Sequence, residues 1–450
     1  MANERFDVVI LGGGNAGMGV TVPTRAAGMS VAMIEHRDLG GTCPNRGCTP
    51  KKILVAAAHA LDEIGRAKAH GIEVGTPKLD WARLIDREKD MIRDIPVRLG
   101  KAMADRGVEV LHGSAAFVGP NAVKVGARTL EAKHVVIATG SKPRDLAIPG
   151  AEHLITSDEV LSERTLPSDV VFIGGGVIGL EFSHVYARAG AKVTILETLP
   201  RLLAALDSDA VDRLRAESER IGIDIRTGIT VQRVERVGDR LRVGFEQAGR
   251  AQAVEAQRVV NGAGRVANID GLDLEAGGVK HDGTRVTVDE HLQSVSNPAV
   301  HVCGDALWSA PQLSPLATYE GRLVGRNIVE GPQHKPDLAG IPSCVYTIPP
   351  LASVGLTEAK AREGGRRIKV HATDMSSWFS SRTYAETAAW AKILVEEDTD
   401  RILGAHFVGH AGEELINLFA MALRHGIPAA DVRDAIYAYP TFSADIKNLL

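Results

Sequence analysis

Residues 7–17 read DVVILGGGNAG, and residues 169–179 read DVVFIGGGVIG. Each stretch starts as a β-branched apolar run and turns at a cluster of glycines. Each then passes through a helix-forming segment to a second apolar run with an acidic end, AAGMSVAMIE (26–35) and RAGAKVTILE (188–197). Gly12, Gly14 and Gly17 correspond to Gly174, Gly176 and Gly179, Gly28 to Gly190, and Glu35 to Glu197, all at one offset of 162 residues. The pattern predicts strand, tight turn, helix and strand, twice.

Glycines at these positions allow a tight turn and let the backbone approach a pyrophosphate, whose charge then sits at a helix N-terminus. The acidic residue closing the second strand accepts from a ribose 2′-hydroxyl. One such pattern is weak evidence, since an ordinary βαβ turn also uses glycine; two in register, each with its flanking strands and acidic end, point to two dinucleotide sites. Gly12, Gly14, Gly17 and Glu35 are the candidates in the first, and Gly174, Gly176, Gly179 and Glu197 in the second.

The remaining composition narrows the function class. The 450 residues suffice for several domains, and 44% hydrophobic with 24% charged residues is ordinary for a globular protein. A net charge of −4 provides no general attraction to nucleic acid or to anionic membranes, so neither is an expected partner. The start, MANERFDVVILGGG, moves from charged residues directly into a strand without a signal-peptide pattern, and no apolar run reaches membrane length. Four cysteines do not make a secreted disulfide scaffold. The expected location is therefore the cytoplasm, where a close pair reads as catalytic or metal-binding.

Such a pair lies in GGTCPNRGCTPKK (40–52), at Cys43 and Cys48. A zinc site would need two further ligands at short spacing, and Cys303 and Cys344 stand apart in apolar, strand-like stretches that suit buried structural thiols. His406 and His410 lie where a strand runs into a loop, without the helical register of a metal motif, so no metal site is expected. A redox disulfide fits better. In a regular helix, Cα atoms five residues apart are roughly 8–9 Å apart, whereas a disulfide needs about 4.4–6.8 Å. The turn between the cysteines is therefore expected to be distorted, and Pro44, Gly47 and Pro50 supply the means. The run KKILVAAAHALDEI (51–64) reads as a helix, which places the pair at a helix N-terminus that favours thiolate. Two inert thiols remain the alternative.

Two dinucleotides beside a cysteine pair imply an electron path. Nicotinamide gives up a hydride and a disulfide is reduced by attack at sulfur, so a flavin is the natural relay. FAD is assigned to the first site, followed by the cysteines, and NADH, with NADPH as a second option, to the other.

These residues resemble the FAD-dependent pyridine nucleotide-disulfide oxidoreductases over nearly the whole chain. GGTCPNRGCTPKK is similar to the family's redox motif GGTCxNxGCxPSK, with Lys51 where serine is usual. VVIATGSKPR (135–144), HVCGDA (301–306) and LSPLATYEGR (313–322) resemble segments that line the flavin, with Cys303 where alanine is common. The resemblance implies an α/β fold with two Rossmann-type domains and a C-terminal α+β interface domain. The FAD-binding domain would be discontinuous, 1–147 and 266–335, the nicotinamide domain 148–265, and the interface domain of a homodimer 340–450. It implies that Cys43 meets substrate, that Cys48 contacts the flavin, and that Lys52 and Glu181 pair near the flavin's reacting edge. Thr42, Thr139, Gly140, Asp305, Ser314, Ala317 and Arg265 fall on cofactor-contacting positions. Separately, Glu181 could only favour its helix N-terminus, Lys52 be a solvated charge and Asp305 cap a turn.

The departure lies at the C-terminal end. Disulfide-reducing members carry HPTxxE, whose histidine is an acid and base; the corresponding stretch is AYPTFSAD (438–445), with Tyr439 and Ala444 in place of histidine and glutamate. Mercuric reductase also lacks that histidine but carries a terminal cysteine pair, which the residues through Leu450 do not contain, so mercury is not the expected substrate. A phenol with an ordinary pKa near 10 is a poor base at neutral pH but a competent proton donor. The expected reaction is NAD(P)H-driven reduction of a small disulfide or other oxidised thiol species. Alternatives are a flavin reductase of a quinone, metal ion or oxygen, and a nucleotide-binding scaffold without turnover. Tyr439 as interface packing is the bland reading of that residue.

Overall fold

A computed structural model describes residues 4–307 and 311–450. Contacts divide the chain into two compact units, Met1–Lys51 with Asp86–Arg144 and Arg265–Asp337, and Lys52–Ile85 with Asp145–Gly264 and Leu338–Leu450.

The first unit is built on a seven-stranded sheet. Its parallel part runs Val108–His112, Val31–Glu35, Glu4–Leu11, Arg128–Ile137, with Val300–Val302 parallel to the last of these; Ala122–Val125 and Ala115–Gly119 extend it antiparallel. The strand VVIL (8–11) is buried throughout, as expected of a parallel strand covered on both faces. The helices Asn15–Ala26 and Ser314–Glu330 pack against each other with almost no side chain between them. A Cβ on Gly321 would lie 2.0 Å from the Ala16 carbonyl oxygen, and one on Gly19 would lie 2.7 Å from that of Thr318. This contact holds the two helix N-termini in a fixed relation. A short ribbon, Ser141–Pro143 against Arg265–Ala267, completes the unit.

The second unit contains a four-stranded parallel sheet, Asp224–Arg226, Lys192–Leu196, Asp169–Ile173 and Arg258–Asn261, and a three-stranded antiparallel ribbon, Ile229–Val237, Arg240–Gln247 and Arg250–Ala256. It also holds a five-stranded antiparallel sheet in the order Ser343–Val345, Leu351–Gly355, Ile402–Val408, Trp390–Glu396, Ile368–Asp374. The helix Gly412–His425 packs on that sheet through Leu415, Ile416 and Phe419. Among the described residues no helix is long and apolar enough to cross a membrane.

Candidate active site

The two glycine turns are built alike. Gly12 has φ +112° and Gly174 φ +111°, where a side chain is strained, and a Cβ on either would lie 2.3 Å from a carbonyl oxygen, of Ala138 and of Gly262. Gly17 and Gly179 close on the carbonyls of Gly12 and Gly174, at 2.0 and 2.2 Å from an added Cβ. Glycines 14 and 176 are the N-caps of helices Asn15–Ala26 and Val177–Ala189 and leave those N-termini open to an anion. Glu35 accepts from the N–H groups of Gly13 (2.8 Å) and Arg37 (2.7 Å), and Glu197 accepts from those of Gly175 (2.6 Å) and Leu199 (2.7 Å). Each carboxylate is thus clamped at its strand end facing its glycine turn. Arg201, four residues beyond Glu197, pairs with Asp212 at 3.9 Å.

The Thr139 hydroxyl and the Gln312 amide nitrogen are buried without a hydrogen-bond partner among the described residues, as polar groups that meet a ligand are. Ser141 donates to Asp305 (2.9 Å), and Arg265 donates to Ser141 (2.9 Å). Burial raises the Asp305 carboxyl above its usual range against these contacts. Glu320, fully buried, accepts from the Gly304 N–H (2.8 Å) through one oxygen while the other has no partner; burial pushes its pKa up to about 7. This donor and acceptor set fits FAD, which when held here supplies the two-electron relay between nicotinamide and sulfur.

The cysteines sit on two helices, Thr42–Arg46 and Cys48–Arg66, broken at Gly47 (φ −143°, ψ −115°). The break is the distortion that the five-residue spacing requires. Both thiols are free. Cys43 is held down to about 6, chiefly by a hydrogen bond with Cys48; burial opposes the shift, and Ser314 and Asn15 reinforce it. Cys48 is pushed above its ordinary value by the same bond to Cys43, by burial and by the neighbouring negative sulfur, with Lys51 acting in the opposite sense. A helix N-terminus alone would depress Cys48. The bond between the two sulfurs couples their titrations, so that the proton belongs to the pair.

The family resemblance implies a pair of Lys52 with Glu181, and each of the two has another contact besides. The Lys52 ammonium lies 3.6 Å from Glu413 and 4.1 Å above the Tyr346 ring, while Glu181 is buried and accepts from the Tyr346 N–H (2.8 Å). Glu413, in the first turn of helix Gly412–His425, competes for the cation. The sequence reading did not single out Asn15, Ser141, Glu320 or Glu413. Asn15 stands inside the first glycine motif, but nothing in its spacing marks it as a partner of Cys43.

Tyr439 is 77% exposed, Ala444 is buried, and the Phe442–Asn448 turn is capped by Thr441. Cys303 is fully buried and its thiol is pushed up by burial. His406 is buried and bonds to Ser353 and to the Leu356 carbonyl; His410 pairs with Glu386 at 2.9 Å. Among the described residues no group of three or more His, Cys, Asp or Glu is placed to hold a metal.

Two dinucleotide folds and a vicinal dithiol define a flavin- and nicotinamide-dependent oxidoreductase. Residues 6–321 match the pyridine nucleotide-disulphide oxidoreductase family and residues 341–450 match its dimerisation domain, and the chain belongs to that family. It acts with FAD and NAD(P)H through a redox-active cysteine pair. It is 31% identical to a dihydrolipoyl dehydrogenase of Chlorobaculum parvum, across 99% of this chain and 97% of the relative. It is 30% identical to a mercuric reductase of Bacillus cereus, across 99% and 71%. The solved structure of the HOCl-induced flavoprotein disulfide reductase RclA from Escherichia coli superposes with a TM-score of 0.88 at 28% identity, covering 98% of this chain and 99% of that one. Its Cu(II) complex gives 0.89 at 27%, covering 100% and 99%.

Proposed function

We propose that the protein is an NADH-preferring reductase of a small disulfide or other oxidised thiol species, working as a homodimer in the cytoplasm. The observation that carries this reading is the pair of free thiols, Cys43 and Cys48, set on either side of the helix break at Gly47, since a thiol pair so placed can attack a disulfide and close on itself. Cys43 is the sulfur that meets substrate, and Cys48 is the one that closes the disulfide and faces the flavin. Lys52, Glu181, Asp305 and Arg265, with Thr42, Thr139, Gly140, Ser314 and Ala317, serve cofactor and sulfurs. The domain partition is 1–147 with 266–335 for FAD, 148–265 for nicotinamide and 340–450 for the interface. Exposed apolar side chains on the last segment, among them Leu418, Met421, Ile436 and Tyr439, support a partner surface there. Cysteine usage supports the compartment.

Tyr439 is assigned as the donor of a proton to the departing thiolate. Its phenol is poorly suited to the reverse task of activating a dithiol, which favours substrate reduction. A second reading, reduction of a metal ion, rests on the Cu(II) complex of RclA and the mercuric reductase relative.

Purified holoenzyme with NADH, screened against disulfides, quinones and Cu(II), separates the two. Disulfide turnover should require both cysteines. Tyr439→Phe should slow it by about 10²- to 10⁴-fold while leaving flavin reduction by NADH unchanged. Parental disulfide turnover in Tyr439→Phe would reduce the residue to interface packing, and a preference for Cu(II) or a quinone that survives loss of both cysteines would replace the disulfide reading.

A further inference from the structure

Two loops of the second unit meet at one imidazole. His410 precedes Ala411 (φ +57°), and its neighbours Tyr384 and Glu386 flank Ala385 (φ +51°). An alanine in the left-handed region costs free energy and persists only where its surroundings fix it. Here the two alanines turn the flanking side chains toward each other. The His410 ring stacks between Tyr384 (centroids 5.1 Å apart, planes 22°) and Phe442 (4.7 Å, 21°), and its Nδ1 donates to Glu386 (2.9 Å). Glu386, whose side chain is 7% exposed, also accepts from Arg66 (2.8 Å), and Arg66 donates to the Tyr384 carbonyl (2.6 Å). Burial would raise the Glu386 pKa, but the bonds to His410 and Arg66 lower it, so the acceptor is a carboxylate. The imidazole is therefore held by its edge and by both faces.

Phe442 lies three residues beyond Tyr439 and opens the turn Phe442–Asn448. The far end of this segment is anchored by Ile446 and Leu449, buried in the core on the five-stranded sheet. Its near end lacks a polar tie. From Ala438 onward, among the described residues, the side-chain hydrogen bonds close within the segment, Thr441 donating to the Ala438 carbonyl (2.7 Å) and accepting from the Ala444 N–H (3.1 Å). Ala444, where the motif HPTxxE has glutamate, offers none. Apolar burial has no direction, whereas a ring stack fixes one.

We propose that His410, oriented by Glu386, is a positioning residue that seats Phe442 and through it sets how the Tyr439 hydroxyl is presented. The proposal rests on the reading of Tyr439 as proton donor, and it supplies from another loop the support that Ala444 does not give. His410 exchanges no proton in this role; it acts only through the segment that carries Tyr439.

The test compares His410→Ala, His410→Gln and His410→Phe holoenzymes with the parent, each alone and combined with Tyr439→Phe, on two disulfide probes. Hydroxyethyl disulfide expels an alkyl thiolate that needs a proton, whereas dithiobis(nitrobenzoate) expels an acidic aromatic thiolate that leaves without one. His410→Ala and His410→Gln should slow turnover of hydroxyethyl disulfide roughly 10- to 100-fold through kcat, the cost of a misplaced group. Turnover of dithiobis(nitrobenzoate) should stay within about threefold of the parent, since a better leaving group needs no donor. Reduction of the flavin by NADH should not change. His410→Phe keeps the stack and should stay within about fivefold of the parent on both probes. In the Tyr439→Phe background the further loss from His410→Ala should shrink to about threefold or less. Backbone hydrogen exchange over residues 439–448 should speed by about tenfold in His410→Ala and His410→Gln, and not in His410→Phe.

Parental turnover of hydroxyethyl disulfide in both His410→Ala and His410→Gln overturns the proposal. So does an equal loss on both probes, or a loss undiminished by Tyr439→Phe, either of which would make His410 a packing residue. If His410→Ala does not fold, the contrast between His410→Gln and His410→Phe decides. Parental turnover in Tyr439→Phe alone sinks the proton-donor reading; a slow Tyr439→Phe beside a parental His410→Ala sinks only the positioning role.

Discussion

Glu35 and Glu197 close matching strands and accept the same two kinds of backbone N–H, one from the glycine turn and one from two residues on. A carboxylate clamped this way repels a ribose 2′-phosphate and favours the 2′-hydroxyl. Arg201, four residues on, is paired with Asp212 at 3.9 Å. Glu197→Arg should therefore shift the NADH to NADPH ratio of kcat/KM toward NADPH by on the order of 10- to 100-fold, since it exchanges a like charge for an opposite one. Steady-state kinetics with both nucleotides checks this, and an unmoved ratio would remove Glu197 from nucleotide selection. At this scale the glycines, Glu35, Glu197 and both cysteines were readable, because backbone geometry and spacing demand those residue types. The partner of Lys52 was not. Glu413 lies 361 positions along the chain from it, and only folding brings them to 3.6 Å.

Among the elements, the break at Gly47 follows from spacing alone, because a continuous helix cannot bring residues five apart within disulfide reach. The contact between helices Asn15–Ala26 and Ser314–Glu330 has no such local signal, and it creates the environment of Glu320. That carboxyl is buried with one oxygen bonded to Gly304 and the other without a partner, and its pKa is about 7. A carboxyl raised in the folded state binds its proton more tightly there than in the unfolded chain. Its contribution is complete below the unfolded value of about 4.3 and is lost as pH rises toward 7, a loss of order 3 kcal/mol. Glu320→Gln keeps the acceptor for Gly304 and removes the titration. Urea midpoints should therefore fall between pH 5 and pH 8 in the parent more than in the variant; equal slopes would show that Glu320 does not carry the dependence.

At the scale of the molecule, a caged charge lies in the second unit. Lys392, on strand Trp390–Glu396, is 1% exposed and meets Asp207 (3.0 Å), Asp209 (2.7 Å) and Glu358 (2.9 Å). Burial would lower its pKa, but the three carboxylates overcome this and raise it. Asp207 also caps helix Ser208–Arg220, so one ammonium ties that helix to the five-stranded sheet. Lys392→Met leaves Asp207 buried without its countercharge and should destabilise the fold by about 3–5 kcal/mol, read as a lower thermal midpoint. Lys392→Met with Asp207→Asn should cost less than the two single changes added together. Additive costs would show that the pair is not coupled.

The sequence by itself determined the two dinucleotide folds, the cysteine pair with its broken helix, and the family, because each depends on local backbone demands repeated at readable intervals. The partner of Lys52, the burial of Glu320 and the cage around Lys392 were decided only by tertiary structure. Lys52 lies 361 residues from Glu413, and Lys392 lies 34 from Glu358 and 185 from Asp207. Whether a thiol holds its proton or a carboxyl its charge depends on which groups surround it after folding, and no period or spacing in the chain encodes that.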